Sequence, residues 1–208
     1  MNSNQEYKNR ALADLEGMWS KAVVATLIFF CISDGVGYIL SFLTDDNDSL
    51  GNGLRGGWEM LCLPLTWGFG VYFLNLIRRE DVSYGRLFDG YRDFRRVFVA
   101  VLLSVVAVVV GLVLLVVPGI IVALMLSQTF YIMKDDSQTS AVEAMRKSMK
   151  MMEGHKMGLL GLALSFIGWF LLCLLTVGIG FLLLIPYFET TTAHYYEDLK
   201  ALQGETDG

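Results

Sequence analysis

Residues 97–133 form 37 consecutive positions without a charged side chain. One helix of that length would measure roughly 55 Å, nearly twice the ~30 Å hydrocarbon layer of a bilayer. The run must therefore double back. Pro118-Gly119 divides it, because proline blocks the helix behind it and glycine admits a tight turn. The flanking polar segments, 78–96 and 134–156, are both basic, with six Arg in the first and five Lys or Arg in the second. Basic loops stay in the cytoplasm, so the number of crossings between them is even. The expectation is a hairpin of spans 97–117 and 119–133. The second arm has only 15 residues, so a re-entrant pair is the alternative.

The rest of the chain divides in the same way. Residues 157–196 form a second overlong stretch, broken at Gly178-Ile179-Gly180, which gives spans 157–177 and 179–196. Nearer the N-terminus, runs at 21–43 and 58–77 flank an acidic, turn-rich loop, 44–57. Of the sixteen Lys and Arg, all but Arg55 then fall on one side. The predicted fold is an all-α integral membrane protein, a single membrane domain over 1–208, with six transmembrane helices in three hairpins. Both termini are expected in the cytoplasm. A hydrophobic fraction of 54% and a mean hydropathy of +0.51 exceed the usual soluble balance. The first apolar run is too long for a signal-peptide core and reads as a retained span. Cys31, Cys62 and Cys173 all lie in apolar runs and indicate neither a disulfide nor a metal framework.

Two amphipathic helices are expected on the cytoplasmic side, at 3–19 and 138–153. Ser3 with Glu6 and Ser140 with Glu143 have capping-box spacing. Glu6 can pair with Arg10 and Glu143 with Lys147 at i,i+4. Val142, Met145, Met149 and Met152 mark the apolar stripe of the second helix, which reads as lying on the membrane surface or covering the bundle's end. An apolar residue, an acid and a glycine recur at Leu15-Glu16-Gly17, Phe88-Asp89-Gly90 and Met152-Glu153-Gly154, each before an apolar hairpin. That suggests three repeats of a cytoplasmic helix followed by a hairpin.

The stretches LNLIRRE (74–80), LFDGYRDF (87–94), VVPGIIVAL (116–124), SMKMMEGHK (148–156) and PYFETTTAHYYEDL (186–199) occur in that order. On them the chain resembles the domain-of-unknown-function 975 family of bacterial multi-pass membrane proteins. The N-terminal helix is a looser fit, with Ala13-Asp14-Leu15-Glu16 where a more lysine-rich stretch is expected. The resemblance implies a bacterial cytoplasmic (inner) membrane and most of the chain's topology. It implies no activity.

Charged groups at bilayer depth cost at least about 2.5 kcal/mol on insertion scales, so the polar residues inside the runs are the candidate site. Asp34 lies beside Gly35 and Gly37 in the first run. It reads as an ion or proton site, or as a helix break that reaches interfacial water. Glu189 follows Pro186 and precedes three threonines and His194. It could centre a cavity, and a plainer account is an interhelical bond to Asn75, Gln128 or Thr129. The intramembrane candidates are thus Asp34, Asn75, Gln128, Glu189 and His194. His155 and His194 lack partners at metal-ligand spacing, and no nucleophile–base set or phosphate loop is legible. Neither catalytic residues nor a cofactor or metal are expected.

The functional expectation is a non-enzymatic protein whose partners are membrane lipids, another membrane protein or a second copy of itself. Nucleic acid is not expected, since the basic residues sit in loops between spans. One alternative is a small-solute or ion transporter or channel subunit using Asp34 or Glu189. Another is protection against membrane-active peptides, with Asp45, Asp46 and Asp48 attracting cations.

Overall fold

A computed structural model describes residues 2–44 and 49–206, and every regular element among them is helical. The acidic cluster Asp45, Asp46 and Asp48 lies outside the described residues. Helix α1 (Asn4–Leu15) starts at Ser3, whose Oγ accepts the Glu6 N–H at 3.2 Å. Gly17, at φ 78°, turns the chain into α2 (Trp19–Phe30). A π-helical turn, Cys31–Gly35, joins α2 to α3 (Val36–Leu43). Next comes α4 (Ser49–Ile77), longer than the expected 58–77 span. Nine of the fourteen residues of the expected 44–57 loop are therefore helical. Gly51 permits the close approach of α4 to the end of α3, since a Cβ there would lie 2.4 Å from the Thr44 Cβ. Tertiary contact overrides weak local propensity at this point.

A 3-10 segment, Tyr84–Tyr91, runs back along α4. Two glycines permit the approach: a Cβ on Gly68 would sit 2.0 Å from the Leu87 carbonyl oxygen, and one on Gly90 2.2 Å from that of Pro64. Then follow α5 (Phe94–Leu114) and α6 (Val116–Leu126), an antiparallel pair. Their break falls at Leu115, which is extended at φ −164° and ψ 146°, and not at Pro118-Gly119. Pro118 instead occupies the first turn of α6, where its missing N–H costs no helical bond. Gly119 serves the approach of the two arms, since a Cβ on Gly111 would meet its Cα at 2.8 Å.

The chain continues through α7 (Thr129–Asp135), α8 (Ala141–Met151), α9 (Lys156–Leu164), α10 (Ile167–Leu175) and α11 (Phe181–Thr206). Among the described residues five helical stretches are long and apolar enough to cross a membrane: Trp19–Leu43, Ser49–Ile77, Phe94–Leu114, Val116–Asp135 and Lys156–Leu175. The expected short fourth arm is thus a 20-residue rod, interrupted between α6 and α7. The sixth expected span, 179–196, is not among them, because α11 carries Glu189, His194, Glu197 and Asp198.

Polarity does not put α11 outside the bundle. It packs against α1, α2, α4, α8 and α10, and Thr190, Thr191, Ala193, Tyr195 and Tyr196 are buried. The threonine hydroxyls are satisfied within the helix, with Thr190 donating to Pro186 O at 2.7 Å and Thr191 to Tyr187 O at 2.6 Å. Helix α4 shares this centre, with 72% of its apolar window inside the bundle. Tyr7, Leu15, Tyr72, Phe73, Met133 and Tyr196 are among the largest fully buried side chains.

The α8 stripe faces differently from the expectation. Of the expected stripe Met152 is fully buried, Val142 is 46% exposed, and Met145 and Met149 are half-buried, while Ala141, Ala144, Ser148 and Met151 are buried. Small side chains let α8 approach α5, α6 and α7 closely. Its cap is as expected, with Ser140 Oγ accepting from Glu143 N, and Lys147 lies 3.7 Å from Glu143. Arg10 pairs with Asp198 of α11 at 2.9 Å rather than with Glu6.

Candidate functional site

The five sequence candidates do not all share one site. Asp34 sits on the π-helical turn and is exposed. A wide turn leaves backbone carbonyls poorly paired, and here Trp58 Nε1 reaches across from α4 to Ile32 O at 3.0 Å and Ser33 O at 3.3 Å. The Ser33 hydroxyl lies 2.8 Å from both Phe29 O and Asp34 Oδ2. Beside this turn is a cleft of about 440 Å³ between α3 and α4, lined by Ser33, Asp34, Ser41, Glu59, Cys62 and Thr66 among others. Glu59 is the acidic companion that sequence reasoning missed.

The other four lie apart from that cleft. Asn75 and Gln128 are buried, and each leaves its side-chain oxygen without a hydrogen-bond partner among the described residues. Glu189 is half-buried and makes no hydrogen bond to Asn75, Gln128 or Thr129. Its Oε2 lies 3.9 Å from where a Gly70 Cβ would stand, within electrostatic reach of Tyr131. His194 turns the other way, with Nε2 2.9 Å from Asp14 Oδ2 on α1. Among the described residues no group of three or more His, Cys, Asp or Glu is placed to hold a metal ion.

A polar cluster that sequence reasoning did not assemble closes the opposite, basic end. Arg78, just after α4, grips Asp135 through Nη1 at 2.5 Å and Nη2 at 2.9 Å, and its Nε reaches Glu197 at 2.7 Å. Asp135 also accepts from Tyr196 at 2.8 Å and from Lys200 at 2.5 Å. These bonds, with the Asp135 contact foremost, raise the Arg78 guanidinium above its ordinary pKa. Next to it, Asp136 accepts from the Thr139 hydroxyl, from Lys147 at 3.2 Å and from the Gln138 N–H at 3.1 Å. Bonding to the ionised form, led by Thr139, holds its carboxyl down at about 2.

Backbone ends are tied in as well. Arg96 donates to the carbonyls of Met133, Asp136, Ser137 and Thr139 at 2.7–3.1 Å, supplying donors that the end of α7 lacks. Where α6 and α7 part, Ser148 of α8 donates to Met125 O at 2.7 Å and accepts the Gln128 N–H at 3.2 Å. Long-range partners of this kind carry no sequence signal. The only hint was that Arg78, Arg96 and Asp135 stand at the edges of apolar runs.

A family model described as "Protein of unknown function (DUF975)" matches residues 99–203. The matched stretch takes in α6 to α10 and most of α5 and α11, whereas the LNLIRRE and LFDGYRDF segments precede it. No curated protein and no solved structure matches the chain.

Proposed function

The chain belongs to the DUF975 family, whose function is unknown, and from that premise we propose a non-enzymatic integral protein of the bacterial inner membrane that works through contacts with lipids or other membrane proteins. In this reading α11 is a sixth crossing, the helices form three hairpins, and both termini are cytoplasmic. The observation that carries it is a division of surface. Phe42 is 91% exposed, Val113 81%, Leu175 81% and Val177 93%, while Arg78, Arg96, Lys147 and Lys200 gather at the other end. Apolar surface on that scale asks for lipid or a protein partner.

A photo-crosslinking residue at Val113 or Leu175, activated in native membranes, is the test. Adducts with lipid or with a membrane protein are expected from both positions, and none from Phe73, which is fully buried. Unmodified protein at all three positions would remove the proposal.

A second reading, a small-solute or ion transporter, is favoured by the cleft beside the π-helical turn, where irregular backbone and an acid line a cavity. Flux into proteoliposomes should then fall in Asp34→Asn. Equal flux in wild type, Asp34→Asn and Glu189→Gln would end it.

A further inference from the structure

At the basic end a cavity of about 580 Å³ opens between α7, α8 and the C-terminal part of α11. Its polar lining includes Asp135, Asp136, Lys147, Lys150, Tyr196 and Lys200, over an apolar floor of Ile132 and Met151. We propose that this cavity binds a phosphate-bearing anion.

Both oxygens of Asp135 are taken, by Arg78, Tyr196 and Lys200. Both oxygens of Asp136 are taken, by the Gln138 and Thr139 amides, the Thr139 hydroxyl and Lys147. The acids are therefore spent on the protein itself and present little to a cation.

Unused capacity is on the donor side. An ammonium carries three N–H groups. Lys200 gives one, to Asp135, and Lys147 gives two, to Asp136 and the Thr139 hydroxyl. Lys150 has no ion-pair or hydrogen-bond partner among the described residues, although it lines the cavity. In the cavity lining three lysines, Lys147, Lys150 and Lys200, face two acids, Asp135 and Asp136; with Arg78, Glu197 and Glu143 behind them the charges balance at four against four. Glu143, 3.7 Å from Lys147, faces the same ammonium.

The lysines that do pair are held in place by those pairs, so little side-chain freedom is lost on binding. Three ammonium groups from two helices suit a phosphoryl group, whose several oxygens accept charge-assisted bonds at once. The phosphate could belong to a lipid headgroup or to a free phosphorylated solute. The inference rests on α11 returning to this end, as proposed above, and on no other part of that proposal.

The experiment titrates the full-length protein in detergent with inorganic phosphate and glycerol 1-phosphate by calorimetry. In parallel, its melting is followed in nanodiscs of phosphatidylglycerol and of phosphatidylcholine. A saturable response to a soluble phosphate assigns a free solute, and stabilisation by phosphatidylglycerol alone assigns a headgroup. In either case Lys150→Gln should weaken the response about tenfold or more, the loss of a charge-assisted bond. Lys150→Gln breaks no pair at this end, so its melting without ligand should match wild type. Arg146→Gln, on the same helix but outside the cavity lining, should change the response by less than about twofold. Absence of any response overturns the proposal, as does a Lys150→Gln response equal to wild type or an equal loss in Arg146→Gln.

Discussion

Ser148 shows how much one hydroxyl can hold. The rod Val116–Asp135 is interrupted between α6 and α7, and an interrupted helix leaves amides and carbonyls unpaired. Ser148 answers one of each, donating to Met125 O and accepting from Gln128 N. Ser148→Ala strands both groups in a buried place and should cost about 1–3 kcal/mol, read as a lower midpoint in denaturant melts in detergent. Asp136 gives a pH-dependent counterpart. Its folded pKa, at about 2, lies below the ordinary 3.8, so the folded state binds its proton less tightly than the unfolded state. The stabilisation is complete above the ordinary value and is lost as pH falls through about 2. Asp136→Asn should therefore melt earlier than wild type at pH 7, with the gap closing towards pH 2. A gap independent of pH would assign the effect to shape and not to charge.

Elements differ in how far their sequence announces them. Capping boxes at Ser3 and Ser140 are local, and both form. The stripe of α8 is right at Met152, which is buried, and misleads at Val142, because periodicity counts apolar residues, whereas packing also selected small ones, Ala141, Ala144 and Ser148, that let backbones approach. The break at Leu115 was hidden because proline is equally at home at a helix start. Asp34 and Glu189 were visible as charges in apolar runs, but whether they meet depends on helix rotation, which composition does not encode. The 3-10 segment supplies an element-scale prediction. Gly90→Ala places a methyl against the Pro64 carbonyl and Gly68→Ala one against the Leu87 carbonyl. Backbone cannot rotate aside as a side chain does, so each should destabilise by about 1–3 kcal/mol. Gly57→Ala, in the same α4 with open space around its Cβ, should be neutral or stabilise by up to about 1 kcal/mol. The three melts together distinguish contact from helix propensity.

At the scale of the whole molecule, the proposed return of α11 across the membrane has to be reconciled with its polarity. Composition is against it, since Glu189, His194, Glu197 and Asp198 lower its apolar character. Geometry supports it. The chain leaves α10 through Val177, 93% exposed, and Gly178 at φ 87°, at the apolar end. Asp198 then pairs with Arg10, and Lys200 with Asp135, both at the basic end. A 26-residue helix spans roughly 39 Å, enough for the journey. The polar residues are tolerable because neighbouring helices, not lipid, face them: His194 meets Asp14, and Thr190 and Thr191 bond their own backbone. Single cysteines introduced at Gly85, Val142 and Gly204, after replacing Cys31, Cys62 and Cys173, should resist an impermeant thiol reagent applied to intact cells. A cysteine at Gly53 or Ile179 should react. Labelling at Gly204 with protection at Gly85 would mean five crossings and an external C-terminus, and would force the contacts of Asp198 and Lys200 to be redrawn.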